Sequence, residues 1–159
     1  MNDAANLLSR RVAVVMQRRA LQNRWQSEAW EPVGVLHDYE GPSEPRVLVE
    51  ADTHKQWLYP GFDVVLRPSE AEGYFHNVSS EQPCVFVHWR MEGEIGVPQL
   101  VTVSYDEASR WMDGGQAVDR VPMPRELFVW VGEFVEKNYR AQPRKRIKPA
   151  SFKSPRERA

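Results

Sequence analysis

The chain has 159 residues, a net charge of −1 at pH 7, 42% hydrophobic and 27% charged residues, the size and composition of one domain with one core. Its longest apolar runs, about five residues, fall far below the roughly 20 that span a bilayer as a helix. A single cysteine, Cys84, excludes an intramolecular disulfide and a cysteine-based zinc cluster and suits a reducing compartment, so the expected location is the cytoplasm.

Residues 1–9 read as a frayed lead. Ser9-Arg10-Arg11 before "VAVVM" touches on a twin-arginine export signal, but the apolar run is too short and Gln17-Arg18-Arg19 ends it. "RRVAVVMQRR" reads better as a strand with valines in the core and arginines at both ends. "NRWQSEAW" then connects to a second strand, "EPVGVLHDY". "EGPSEP" is a loop by its Gly, Pro and Ser content, and "RVLVEA" and "KQWLY" are short strands around the turn "DTH". Pro60-Gly61 marks a turn, and "FDVVLRP" leaves it as a strand with Phe62, Val64 and Leu66 on one face.

"SEAEGYFHNVSSEQ" reads as irregular, with one helical turn. Its Asn77-Val78-Ser79 matches a glycosylation acceptor, a chance match without a secretory signal. "PCVFVHWRM" is the most apolar strand and expected to be central, "GEIGVP" turns, and "QLVTVSY" is the last clear strand. Ser104-Tyr105-Asp106-Glu107 has the spacing of a capping box, opening a short helix to about Met112 that Gly114 and Gly115 stop. After "AVDRVPMP", Pro124 suits the first turn of a C-terminal helix. Leu127, Trp130, Val131, Phe134 and Val135 recur at helical spacing and should be buried against the sheet, with Pro143 closing the helix. Residues 141–159 carry too little apolar content to order themselves, so the domain should be residues 1–140.

The expected fold is mainly β, of the α+β class: a strongly bent antiparallel sheet or partly open barrel of about seven strands, with a short helix and a C-terminal helix covering one end or edge. Hairpin-length connections favour antiparallel pairing, since parallel pairs need crossovers of about a dozen residues.

No motif announces chemistry. His37, His54, His76 and His88 are scattered one per element. Cys84 and His88 share a strand face but lie about 13 Å apart at strand rise, so they cannot share a metal. There is no G-x-S-x-G elbow, no phosphate-cradling loop and no G-x-G-x-x-G. No cofactor and no metal is expected, and nothing here argues for an enzyme.

Charge is unevenly placed. Residues 1–24 carry five arginines against Asp3, net +4; residues 140–159 carry eight Lys or Arg against Glu157, net +7; the remainder must be −12. The tail's Arg144, Lys145, Arg146 and Lys148 are therefore candidate partner-binding residues. They could also meet phosphates, with Phe152 stacking on a base. The acidic body and a pI near 6.4 argue against nucleic acid.

"NRWQSEAWEPVGV" sets two tryptophans in a polar stretch. Five residues apart, Trp25 and Trp30 share no face of a strand or helix. The economical reading makes each a plug for part of the core, with its indole N–H near a polar neighbour. The alternative is a partly exposed Trp25 beside Arg24, a pairing typical of protein-interface hot spots. On that alternative Arg24 and Trp25 join the candidate partner-binding set.

The layout resembles the bacterial family known as domain of unknown function 3305. The matching pieces are "VAVVMQRR", "NRWQSEAWEPVGV", "GYFHNVSSEQPCVFVHWRM", "SYDEASRWMDGGQAVDRVPMPRELFVWVGEFVEKNY" and the basic stretch after it, from about Arg11 to Lys148. The resemblance implies genes near those of molybdenum- or tungsten-dependent formate dehydrogenases, and hence an accessory role in assembling such an enzyme, with a formate dehydrogenase subunit or maturation factor as protein partner. It implies no catalytic residues. The alternatives are a cofactor-handling enzyme or pterin-binding protein of the same pathway, which needs a pocket lined by groups such as Arg90, His88 or His76, and a nucleic-acid-binding protein acting through its basic tail.

Overall fold

The computed structural model describes residues 8–140. Two antiparallel sheets and three helices make up this part of the chain, a β-rich α+β fold. Sheet one contains β1 (Ser9–Ala20), β2 (Glu28–His37), β3 (Arg46–Glu50) and β4 (His54–Val65) in the order β2-β1-β4-β3. Sheet two contains β5 (Cys84–Glu92), β6 (Ile95–Thr102) and β7 (Ala117–Pro122) in the order β6-β5-β7. A 3-10 turn (Pro68–Glu70) leads into α1 (Ala71–Val78), while α2 (Tyr105–Asp113) and α3 (Arg125–Asn138) flank β7.

Three element assignments change. "KQWLY" and "FDVVLRP" are one strand: β4 runs through Pro60-Gly61, and a register shift against Val12–Val14 absorbs the Pro-Gly pair as a bulge, with Gly61 at φ 96°. "AVDRVP", read as a connection, is the seventh strand and pairs with the central β5. The segment read as irregular holds α1, which buries Ala71, Gly73, Tyr74 and Asn77.

The core lies between the inner faces of the sheets. Val12, Val14, Met16, Val35 and Val64 of sheet one meet Val85, Val87 and Val121 of sheet two, and Leu127, Val131, Phe134 and Val135 of α3 close it. Each such side chain contributes roughly 1.5–3 kcal/mol on full burial. Trp130 departs from expectation: it is half-buried, packed on the edge of this core with the Arg10 guanidinium 4.6 Å above its ring. The outer face of β1 is also covered, since Ala13, Val15 and Leu58 pack with Val33 and Tyr39. β1 therefore reads as a continuous apolar run rather than an alternating one.

Polar pins hold α1 and α2 to the sheets. Asn77 is buried; its Nδ2 donates to the carbonyls of Cys84 and Val103, both at 2.8 Å, and its Oδ1 accepts from the Cys84 N–H at 3.0 Å. With its amide spent inside the fold, this Asn-Val-Ser site presents no free acceptor. Ser104 caps α2, accepting from the Glu107 N–H at 3.0 Å. The reciprocal half of the expected box is relayed: the Ser104 N–H donates to the Thr102 hydroxyl, which donates to Glu107 at 2.6 Å. α2 ends in a Schellman motif, with the Gln116 and Gly115 N–H groups donating to the Trp111 and Met112 carbonyls and Gly115 at φ 88°. α3 stops at Asn138, ahead of the stop expected from Pro143, which lies outside the described residues, and Pro124 occupies its N-cap rather than its first turn.

Candidate functional site

The site grows from the Ala20 end of β1. Two backbone hydrogen bonds at 2.9 Å pin the chain there, Ala20 N–H to the Thr53 carbonyl and Leu21 N–H to the Ser27 carbonyl. The loop between them projects outward. At its tip the Trp25 N–H donates to Asn23 Oδ1 at 2.7 Å, a side-chain-mimicked turn. Trp25 is 82% exposed, and the Arg24 guanidinium lies 5.3 Å from its ring centroid. The core-plug expectation therefore fails for Trp25, whose loop turns away from the sheet, and the exposed alternative describes it. Trp30, at the opening of β2, is part-buried.

Beside this loop a cleft of about 520 Å³ opens, lined by Gln26, Glu28, Trp30, Trp89, Met91 and Glu94 among others. Its lining comes from the end of the β1–β2 loop, the start of β2, the far end of β5 and the β5–β6 turn. On β1 the inward face that carries Val14 and Met16 continues to Arg18, and register places Trp30 opposite Arg18 and Trp57 opposite Met16. Trp30 and Trp57 consequently stack, with centroids 5.1 Å apart and planes at 27°. Sheet two supplies the other wall. Gly96 of β6 lies against Trp30: a Cβ there would come within 3.1 Å of the Cβ and Cε3 of Trp30, a tight contact. Gly93, at φ 68°, takes the first position of the two-residue β5–β6 turn and leaves Glu94 at the tip.

Both indole N–H groups face carboxylates. Trp89 Nε1 donates to Asp119 Oδ2 at 2.8 Å, and Trp30 Nε1 donates to Glu28 Oε2 at 3.4 Å. Glu28 also lies 3.8 Å from Arg18. The Trp57 ring carries two cations, Lys55 Nζ at 5.0 Å and Arg18 Cζ at 5.9 Å. Immediately behind, on the opposite face of β1, the Arg19 guanidinium bonded at 2.7 Å holds the Glu31 carboxyl below the usual carboxylate range.

Of the residues singled out in sequence, Arg24 and Trp25 lie together at this surface, and Arg144, Lys145, Arg146 and Lys148 lie outside the described residues. Trp30, Trp57, Trp89, Met91 and Glu94 were missed as a group. Each tryptophan sits beside charge in its own strand ("EAWE", "KQWLY", "HWRM"), but only the register shows three of them meeting at one end of the molecule.

The groups that a cofactor pocket would have needed are dispersed. His76, on α1, is 3.7 Å from Glu72 and 3.8 Å from Asp106. Arg90 is exposed against Glu92 at 3.3 Å, while His88 packs beneath α2 with Trp111 5.9 Å away. Burial pushes the Cys84 thiol up, away from a reactive thiolate. Among the described residues no three His, Cys, Asp or Glu side chains are grouped to hold a metal ion, and no helix is long and apolar enough to cross a membrane.

By its architecture this is a small α+β domain of two antiparallel sheets, with an aromatic cleft at one end of them. The chain belongs to the family described as "Protein of unknown function (DUF3305)", which it matches over residues 11–148. No curated protein and no solved structure matches it.

Proposed function

We propose that this protein is a non-catalytic docking module of the cytoplasm, and that its docking surface is the Arg24–Trp25 loop with the adjoining tryptophan-lined cleft. The observation that carries this reading is the exposure of Trp25 beside that cleft. Leaving a tryptophan in water forfeits a burial that large aromatics ordinarily gain. A tryptophan capped by an arginine is the residue pair in which binding energy concentrates at protein interfaces. The gene neighbourhood implied by the family resemblance makes a molybdenum- or tungsten-dependent formate dehydrogenase, or a factor that matures it, the partner to test first.

The experiment is equilibrium binding of the intact chain to an immobilised formate dehydrogenase catalytic subunit. Trp25→Ala should weaken binding by about 30-fold, equivalent to about 2 kcal/mol at a hot spot. Its melting temperature should be unchanged, because the side chain buries almost nothing. Unchanged affinity in Trp25→Ala would refute the assignment of the surface. No binding by the unmodified chain would refute the formate dehydrogenase link.

A further inference from the structure

We propose that the cleft between Trp30 and Trp89 is a cation-recognition site that takes an arginine or lysine side chain presented by the partner protein. This rests on the docking reading above and names the chemistry of the group received. The walls are two indoles and the Met91 side chain, which suit a flat guanidinium or the alkyl stem of a lysine. The rim is acidic: Glu28 and Glu94 both line the opening. Glu28 shares its charge with Arg18, whereas Glu94 has no ion-pair partner among the described residues.

The indole N–H groups reinforce this preference. Donation to Asp119 and Glu28 removes the two donors that an anionic ligand would use. It also fixes the rings and sets negative charge at their edges, which favours a cation over the open face of Trp89, Trp30 being stacked on Trp57 and lining the cleft beside it. The neighbouring Trp57 shows the same arrangement already filled, with Lys55 and Arg18 against its ring. Trp89 has no such cation among the described residues and opens to the cleft. The field of the whole body acts in the same sense, since residues 25–139 carry about twelve more negative than positive charges.

The test uses the intact chain and follows the indole N–H resonances of Trp30 and Trp89, assigned with single Trp→Phe variants. Acetyl-Gly-Arg-Gly-amide and acetyl-Gly-Lys-Gly-amide should shift both signals saturably. The leucine and glutamate analogues should not. Glu94→Lys, a change at an exposed hairpin tip that leaves the core untouched, should weaken the arginine peptide at least about tenfold by placing like charges together. A leucine peptide that matches the arginine one would overturn the inference, as would absent shifts or an unaltered affinity in Glu94→Lys. Tighter peptide binding after Arg144, Lys145, Arg146 and Lys148 are all changed to Ala would show the chain's own basic residues competing for the cleft, and would overturn the assignment to a partner. The docking reading fails separately: it is lost if Trp25→Ala leaves partner binding intact even while the arginine peptide binds, and it survives if Trp25→Ala abolishes partner binding while the peptides do nothing.

Discussion

At the scale of single residues, buried hydrogen bonds and paired carboxylates decide stability. Asn77→Ala would remove three hydrogen bonds and leave buried backbone groups without partners. Each such group costs about 1–3 kcal/mol. A loss of about 3 kcal/mol should lower the melting temperature by roughly 6–12 °C in a chain of this size, which a thermal melt reads directly. Glu70 is the second test. Burial pushes its carboxyl up, but the Ser104 hydroxyl at 2.6 Å and the Arg110 guanidinium at 2.7 Å outweigh that and hold it below its ordinary value. A carboxyl lowered in the folded state contributes stability that is fully present above its unfolded value, about 4.3. That contribution disappears as pH falls toward the folded value. Glu70→Gln should therefore flatten the acid side of the stability profile below about pH 4.5, measured by denaturant titration at several pH values. An acid limb as steep as that of the unmodified chain would refute this.

At the scale of elements, α3 offers a graded comparison. Phe134 is buried, and Trp130, four residues before it at i, i+4 spacing, sits at the core's edge. Phe134→Ala should cost about 3–5 kcal/mol, and Trp130→Ala clearly less despite its larger side chain. The reverse order in chemical denaturation would contradict the packing. Elements also show what was legible in the sequence. The strands β1, β2 and β5 carried apolar runs, α2 carried its cap and stop, and α3 its helical spacing, so they could be read. α1 could not, because Gly73 weakens a helix locally and is present for a tertiary reason: a Cβ there would overlap the Ser104 hydroxyl. β7 escaped because its two valines serve different faces, Val121 the main core and Val118 the layer beneath α2, and prolines follow. Pro60-Gly61 has the composition of a hairpin turn, and only pairing with β1 makes it a bulge. Trp25 was legible as an anomaly and Arg24 as its neighbour, while the cleft depends on cross-strand register that one sequence does not display.

At the scale of the whole molecule, charge and shape divide the chain between two ends. Leu8, Arg10, Trp130 and Lys137 gather at the Ser9 end of β1, where α3 also finishes; the tryptophan cleft is at the Ala20 end, roughly 26 Å away by strand rise from Arg10 to Arg18. Attraction between exposed charges is screened over about 8 Å at physiological salt. The basic residues after 140 should therefore speed and orient encounter with an acidic partner surface more than they fix the complex. Changing Arg144, Lys145, Arg146 and Lys148 to Ala should lower the association rate at low salt, and the loss should shrink at high salt, as surface plasmon resonance would record. A tail that leaves partner association unchanged but abolishes oligonucleotide binding, with a steep salt slope, would favour nucleic acid instead.

The ladders on both sides of β1 also have a mechanical meaning. β1 runs directly into the loop that carries Arg24 and Trp25, and it is hydrogen-bonded to β2 along one edge and to β4 along the other. A pull on that loop is therefore a pull along the strand. Because the loop joins β1 to β2, both strands are drawn together and the load falls in shear on the β1–β4 ladder, whose hydrogen bonds must give way together rather than one at a time. The loop is a handle fixed to two neighbouring strands of the four-stranded sheet, and a partner holding it could transmit force to the body without first unzipping it.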